Sequence, residues 1–445
     1  MKIYFIGIGG IGVSALAQYY FSLKSRVSGS DLSSSEIIEF LKKKKIKINI
    51  GKHKKENLPK DADLIIYSPA VQKNNPEFKA ALELKKENPN VEILSYPEAL
   101  GKLTEKYFTI AVSGTHGKST TSSMLSSLLI KAGMDPTVII GTKLKDLNPR
   151  AGWSNFRKGK SKYLVIEADE HFASFLNYKP KIIVLTKVEA DHLDYFKNFD
   201  NVLKTFKKYI GLLPENGYLV ANKDDNISSL IVSKAKNIKW YSLNTKEAKR
   251  LKKILKIPGE HNISNALASL TTARILKIPD KTSFRALSEY KGCWRRFEEK
   301  SIKLKNKKII AISDYAHHPT ELMATLKAAR EKYPFSKILS IYQPHQYQRT
   351  YYLFNDFIKS FREAADMSLA EKIIISDIYD VAGREEKNIK NKINSKILAK
   401  KTKRENITYL EKNKILNHIK QNSSHFDVLL IMGAGDIYKI VDKLG

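Results

Sequence analysis

Short apolar runs alternate along the chain with longer stretches of helical period. Residues 2–6, 64–67, 91–94, 108–112, 163–166, 182–186, 218–221, 309–312, 338–342, 372–376 and 428–432 have the length of strands. Their near-continuous apolarity is that of strands covered on both faces. Between them, apolar residues recur at three- and four-residue spacing. Val13, Leu16, Ala17 and Tyr20 form one such set, Met124, Leu125, Leu128 and Leu129 a second, and Ala266, Leu267, Leu270 and Ala273 a third. That spacing gives a helix one buried face. Strand and helix in alternation predict parallel α/β sheets. Breaks near Pro97 and Arg296 divide the chain into three such domains, 1–102, 103–295 and 296–445. The Lys- and Asn-rich segment 388–414 reads as an exposed helical region.

Polar clusters follow the strand-like runs, where ligands of parallel sheets gather. Residues 107–124 read YFTIAVSGTHGKSTTSSM. Here an apolar strand meets a tight turn with Gly114 and Gly117, and Lys118, Ser119 and Thr120 open a helix. Unpaired N–H groups and the positive helix end then face one oxyanion. Lys118 suits β- and γ-phosphates, and the Ser119 hydroxyl suits Mg²⁺. The first glycine of the general P-loop is replaced by Val112, so the match is to the shorter form GTHGKS.

Upstream, Gly7, Gly9 and Gly12 spell G-x-G-x-x-G after the first strand, with Asp31 about twenty residues on. The glycines admit a diphosphate and Asp31 suits ribose hydroxyls. Both NAD and any other diphosphate-linked nucleoside fit this cradle. Ser68 opens a loop at the same sheet edge.

Further along, Glu167, Asp169 and Glu170 form an acidic cluster at a strand end, the oxygen-rich setting Mg²⁺ needs. His192 follows the next strand among Glu189, Asp191 and Asp194, and reads as functional. Asn262 and Asn265 open a helix, as caps or as adenine contacts. Residues 293–298, CWRRFE, suggest a crossing strand whose Arg295 and Arg296 suit phosphates. Adjacent His317 and His318 lack a third ligand at standard spacing, which argues against zinc.

Charge adds little. Lys and Arg number 78 against 46 Asp and Glu, a net +32, yet the lysines are scattered. No aromatic-interleaved basic ladder accompanies them, so no nucleic-acid partner is expected. A basic nucleic-acid-dependent ATPase remains a distinct alternative, and it predicts strongly salt-sensitive binding. Cys293 is the one cysteine, which excludes a disulfide framework. No run approaches a membrane span, and the first residues lack a leader's features. A cytoplasmic protein without membrane attachment is the expectation.

The order of motifs closely resembles one family over nearly the whole chain, the Mur ligases of peptidoglycan synthesis. GIGGIGVSALA with SGSD, SGTHGKSTT, EADE, EADHLD, PGEHNISNALA, RRFE, DYAHHPTE, QPH…RT and GAGDI occur in that family's order. The resemblance implies a Rossmann-like N-terminal domain, a P-loop NTPase-like central domain and a Rossmann-like C-terminal domain. It implies that UDP-N-acetylmuramate, not NAD, occupies the first domain at Gly9, Gly10, Ile11, Gly12, Asp31 and Ser68. ATP is expected at Gly114, Thr115, His116, Gly117, Lys118, Ser119 and Thr120, with Asn262, Asn265, Arg296 and Asp314. Ser119, Glu167 and His192 are the implied Mg²⁺ ligands. Lys118, His192, His317 and Arg349 are the implied catalytic residues, with His345 beside them toward the muramyl carboxylate and L-alanine. The implied reaction joins an amino acid to the lactyl carboxylate through an acyl phosphate, by a monomer or weak dimer.

Branch features point to the L-alanine-adding members. Later Mur ligases carry a carbamylated lysine near the position held here by Phe206. QPH…RT disfavours the murein tripeptide ligase of cell-wall recycling. An NAD-dependent dehydrogenase, the alternative of another class, leaves SGTHGKSTT unexplained. The chain departs from the family pattern at Ser119, at His171 and Phe172, at Lys187, and at Gln346, where an arginine is usual.

Overall fold

The computed structural model describes residues 1–148, 152–232, 235–381 and 388–444. Among them lie three sheets, all parallel apart from one pairing in each of the second and third. The chain divides into two compact units. One comprises Met1–Val188, Leu203–Ser242 and Ala266–Leu287; the other comprises Glu189–Val202, Leu243–Asn265 and Ser288–Gly445.

The first unit holds two sheets. The N-terminal one contains β1 (Lys2–Ile6), β2 (Arg26–Asp31), β3 (Lys47–Ile50), β4 (Leu64–Tyr67) and β5 (Glu92–Ser95) in the order β3-β2-β1-β4-β5. The order reverses between β1 and β4, which opens a crevice at their C-terminal ends. Helices start where the sequence supplies acceptors. Asn75 caps Pro76–Glu87 through the N–H groups of Glu77 and Phe78. Ser95 and Glu98 form a capping box at the head of Tyr96–Thr104.

The second sheet is built from β6 (Phe108–Ser113), β7 (Thr137–Leu144), β8 (Ser154–Arg157), β9 (Tyr163–Glu167), β10 (Ile182–Leu185), β11 (Tyr218–Asn222) and β12 (Ile238–Tyr241). Its order is β12-β11-β10-β6-β9-β7-β8. Ile110, Val112, Val165 and Val184 are fully buried, as the apolar runs required. The antiparallel β7–β8 pairing was not foreseen. Asn155 of β8 reaches the helix Ile11–Ser22 of the first domain. Its Nδ2 donates to Ile11 O at 2.6 Å and Ser14 Oγ at 2.9 Å, and its Oδ1 accepts from Gln18 Nε2 at 2.9 Å.

The second unit carries β13 (Glu298–Leu304), β14 (Lys307–Asp314), β15 (Ile338–Tyr342), β16 (Lys372–Ile375), β17 (Ile407–Tyr409) and β18 (Val428–Met432), ordered β13-β14-β18-β15-β16-β17. Ile312, Tyr342, Ile373 and Leu430 face one apolar layer, and Ala311, Ile341, Ile374 and Leu429 face the other. This two-residue alternation between two cores explains why every residue of these strands reads as apolar.

Two expectations need correction. The segment 388–414 is not simply exposed helix. It contains β17, which pairs with β16, and it buries Ile389, Ile393, Leu398 and Ile407. Its many lysines hid an apolar residue every few positions. Residues 293–298 form no crossing strand. Cys293 and Arg296 bridge across a tight turn, with Arg295 and Phe297 at φ 55° and 52°, and the strand begins at Glu298.

Candidate functional site

In the first unit, β6 delivers the chain into a turn in which Gly114 (φ 129°) and Gly117 (φ 83°) adopt backbone unfavourable to other residues. A Cβ on Gly114 would collide with the Thr186 hydroxyl. That hydroxyl donates to Ser113 O at 3.0 Å and to His116 O, while Thr115 N donates to Lys187 O at 2.6 Å. The loop is thus stitched to the end of β10. Gly117 caps the helix Lys118–Lys131 without a side-chain hydrogen bond, and no acidic residue lies in its first turn. Lys118, Ser119 and Thr120 therefore present first-turn N–H groups and a positive helix end, which is an anion site.

Lys118 Nζ lies 2.7 Å from Gly114 O, 3.3 Å from Thr115 O and 2.8 Å from Glu170 Oε2. Burial works against the ammonium, but the charges of Glu170 and Asp169 outweigh it and raise its pKa. Burial pushes Glu170 up to about 7 despite the lysine. Its other oxygen, Oε1, is buried without a hydrogen-bond partner. Ser119 Oγ donates to Glu167 Oε1 at 2.9 Å, and Gly141 N donates to Glu167 Oε2 at 2.9 Å. A hydroxyl and a carboxylate oriented by backbone beside a phosphate loop are the hard donors Mg²⁺ takes.

The glycine loop of the first domain lies in the same unit. Gly7 N and Ile8 N both donate to Ser30 O, at 2.9 and 3.0 Å. Asp31 Oδ2 accepts from Gly9 N at 2.8 Å. One oxygen of Asp31 therefore shapes the loop, while Oδ1 lies 3.4 Å from Ser33 N. Gly10 caps the helix begun by Ile11 and Gly12, again with no side-chain cap. Ser68 packs on Gly7, and its Oγ accepts from Ala70 N. Gly9, Gly10, Ile11, Gly12, Asp31 and Ser68 are thus gathered at one crevice.

The second unit gathers a different set. Asp191 accepts from Arg349 at both oxygens, from Nε at 3.0 Å and NH2 at 3.4 Å. Arg349 NH1 also donates to His345 Nδ1 at 3.3 Å, and the His345 ring stacks on Tyr379. Burial opposes ionisation of Asp191, yet Arg349 and the nearby histidines hold its carboxyl well below the usual range. His192 sits at φ 52°, its N–H donating to Asp191 Oδ1 at 2.8 Å. Asp191, His192, Asp194, Gln346, Arg349 and Tyr352 line a shallow, open hollow.

His317 places Nδ1 3.2 Å from Tyr315 O and 3.1 Å from Glu321 Oε2. Burial lowers its pKa to about 4, against the pull of Glu321, so it is neutral at pH 7. His318 instead caps the helix Pro319–Lys332.

Asp314 is a loop fastener. It accepts from Phe297 N at 2.7 Å and Ala316 N at 2.8 Å, and burial raises its pKa. The two arginines part company. Arg295 is buried, donates to Gly433 O and lies over Tyr438, whereas Arg296 lies over Tyr315 and stays partly exposed. Phosphate chemistry is thus open to Arg296 and not to Arg295. Asn262 donates to Pro258 O at 2.6 Å, and Asn265 to Asn262 Oδ1 at 3.4 Å; both are buried.

Sequence reasoning placed Glu170 in the acidic cluster suited to Mg²⁺ but not on Lys118, and gave no role to Asp191, Glu321 or Tyr379. Asp191 and Glu321 stand inside the quoted EADHLD and DYAHHPTE segments, which was the available signal; Tyr379 stands in none of the quoted segments.

Three family models tile the chain. "Mur ligase family, catalytic domain" matches residues 2–108, "Mur ligase middle domain" 112–254, and "Mur ligase, glutamate ligase domain" 295–435. UDP-N-acetylmuramate–L-alanine ligase of Acetivibrio thermocellus is 41% identical, covering 98% of this chain and 94% of that protein. The enzyme of the same name from Caldanaerobacter subterraneus is 38% identical, over 99% and 96%. Among solved structures, the UDP-N-acetylmuramate-alanine ligase of Thermotoga maritima superposes with a TM-score of 0.79 at 27% identity, covering 100% of this chain and 98% of that one. A murein peptide ligase from Psychrobacter arcticus shares the fold at a TM-score of 0.70 and 22% identity, with the same coverage. A phosphate loop on the central sheet, a glycine loop on the first and family matches along both units agree: the chain belongs to the Mur ligase family.

Proposed function

We propose that this protein is the ATP-dependent ligase that joins L-alanine to the lactyl carboxylate of UDP-N-acetylmuramate. The observation that carries the reading is the uncapped helix start at Gly117 with Lys118 above it and Ser119 on Glu167. Relatives at about 40% identity with this named activity support the choice of amino acid and acceptor.

The lactyl carboxylate oxygen attacks the γ-phosphorus, and ADP leaves with the bridging electron pair. The amine of L-alanine then attacks the acyl carbon and phosphate departs. The amine proton passes to solvent or a neighbouring base. Bringing a carboxylate to a triphosphate opposes like charges, and Lys118 with the first-turn N–H groups offsets that repulsion. Ser119 and Glu167, with His192 as the further candidate, would hold Mg²⁺, which supplies charge neutralisation at the phosphate oxygens when bound. Asn262, Asn265 and Arg296 are assigned to ATP, with Asp314 securing their surroundings. Gly9 to Gly12, Asp31 and Ser68 are assigned to the UDP-sugar. His317, His345 and Arg349 are assigned to the amino acid and the muramyl carboxylate.

The same reading puts domain limits at 1–102, 103–295 and 296–445, with the protein in the cytoplasm as a monomer or weak dimer. No helix among the described residues is long and apolar enough to cross a membrane. The test is phosphate release from ATP and Mg²⁺ with UDP-N-acetylmuramate, adding L-alanine or the recycled tripeptide. Release with L-alanine and little with the tripeptide is expected. Release indifferent to the sugar nucleotide sinks the proposal.

A further inference from the structure

Tyr96 is the first residue of the helix Tyr96–Thr104, which leaves the first sheet and runs to the second domain. Two contacts fasten that helix there. Lys179 N donates to Thr104 Oγ1 at 2.9 Å, and Gly101 packs so closely that a Cβ would lie 2.5 Å from Asn177 O. At its other end, the Tyr96 hydroxyl lies over Gly12, the last glycine of the first-domain loop. A Cβ on Gly12 would be 2.5 Å from Tyr96 Oη and 2.6 Å from Cζ.

No described residue hydrogen-bonds to this hydroxyl. Tyr96 is only part-buried, so a ligand in the crevice can reach this hydroxyl. Burial, and then the charges of Glu167 and Asp169, raise its pKa, so it remains an O–H donor at any working pH. A donor at the edge of the glycine loop with no protein partner suits an acceptor oxygen from a ligand. The diphosphate already has the uncapped helix start at Ile11, since the N–H groups of Gly7, Ile8 and Gly9 are held by Ser30 and Asp31. Along an acceptor stretched from that loop toward the phosphate loop, the next anionic group is the lactyl carboxylate.

We propose that the Tyr96 hydroxyl binds the lactyl group of the acceptor, and so selects a lactyl-bearing sugar nucleotide over one without it. The proposal rests on the acceptor assignment above. One hydrogen bond to a charged oxygen is worth roughly tenfold or more in affinity.

The experiment is calorimetric titration of the wild type and Tyr96→Phe with UDP-N-acetylmuramate, UDP-N-acetylglucosamine and a non-hydrolysable ATP analogue. The substitution should weaken UDP-N-acetylmuramate by about tenfold or more. It should leave the other two within about twofold, and unchanged ATP-analogue binding also reports intact folding. No loss for UDP-N-acetylmuramate, or an equal loss for UDP-N-acetylglucosamine, overturns the role of Tyr96. If the wild type itself does not prefer UDP-N-acetylmuramate, the acceptor reading falls, and this proposal with it.

Discussion

The two units each bury one ion pair at the heart of their functional residues, and the pairs are built on opposite principles. Lys118–Glu170 joins a flexible ammonium to one carboxylate oxygen and leaves the other oxygen without a partner. Asp191–Arg349 joins a planar guanidinium to both oxygens, and histidines on several elements reinforce it. Glutamate in the first pair is pushed up to about 7, whereas aspartate in the second is driven well below its ordinary range. A lysine is a point charge that exchanges partners readily, and an arginine fork fixes orientation. The first pair is therefore suited to being dismantled when a triphosphate arrives, and the second to staying made.

The sharpest way to break this contrast is Lys118→Ala. Turnover should fall by about 10³-fold or more, while UDP-N-acetylmuramate affinity stays nearly unchanged. Its stability cost should be small, because Glu170 can take a proton once the lysine is gone. Equal loss of turnover and sugar-nucleotide binding would contradict the division of labour.

Asp191→Ala should destabilise the fold by about 3 kcal/mol or more in denaturant titration, since Arg349 cannot shed its charge. A cost as small as that of Lys118→Ala would erase the difference between the pairs. Glu170→Gln frees Lys118 and removes a negative charge beside the phosphates. ADP should then bind about three- to tenfold tighter, a small share of the ~4 kcal/mol between unit charges 4 Å apart at intermediate dielectric. Weaker ADP binding would mean that Glu170 orients the lysine and does not compete for it.

The smallest effect is in pH dependence. Glu170 binds its proton more tightly folded than unfolded, so its contribution to stability declines as pH rises from about 4.5 to about 7. Asp191, with a lowered value, contributes above its ordinary value of 3.8 and loses that contribution as pH falls further. Glu170→Gln should flatten only the first limb of a stability profile, and Asp191→Asn only the second.

Much of this architecture was legible in the sequence because parallel strands buried on both faces need uninterrupted apolar runs. The runs at 64–67, 338–342 and 428–432 coincide with the observed strands. The phosphate loop was legible because local turn chemistry specifies it. The pairings inside the sites were not. Asp191 and Arg349 lie 158 residues apart, and Lys118 and Glu170 lie 52 apart. Nothing local tells which acid of the EADE segment turns toward the lysine. Positive-φ residues Arg295 and Phe297 hid a turn inside what read as a strand. Phe206, where a metal-binding lysine was considered, is fully buried edge-on against Phe175, a core position closed to any charged ligand.

Asn155 has a consequence for the whole first unit. By threading its amide among Ile11, Ser14 and Gln18, it ties the hairpin of the ATP-type sheet to the helix behind the glycine loop. The bonds to Ser14 and Gln18 are buried, so slippage between the two domains would strand several polar groups at once. The span from glycine loop to phosphate loop is thereby a fixed ruler. A sugar nucleotide whose reactive arm is too short or too long fails by length alone, before any chemistry distinguishes it.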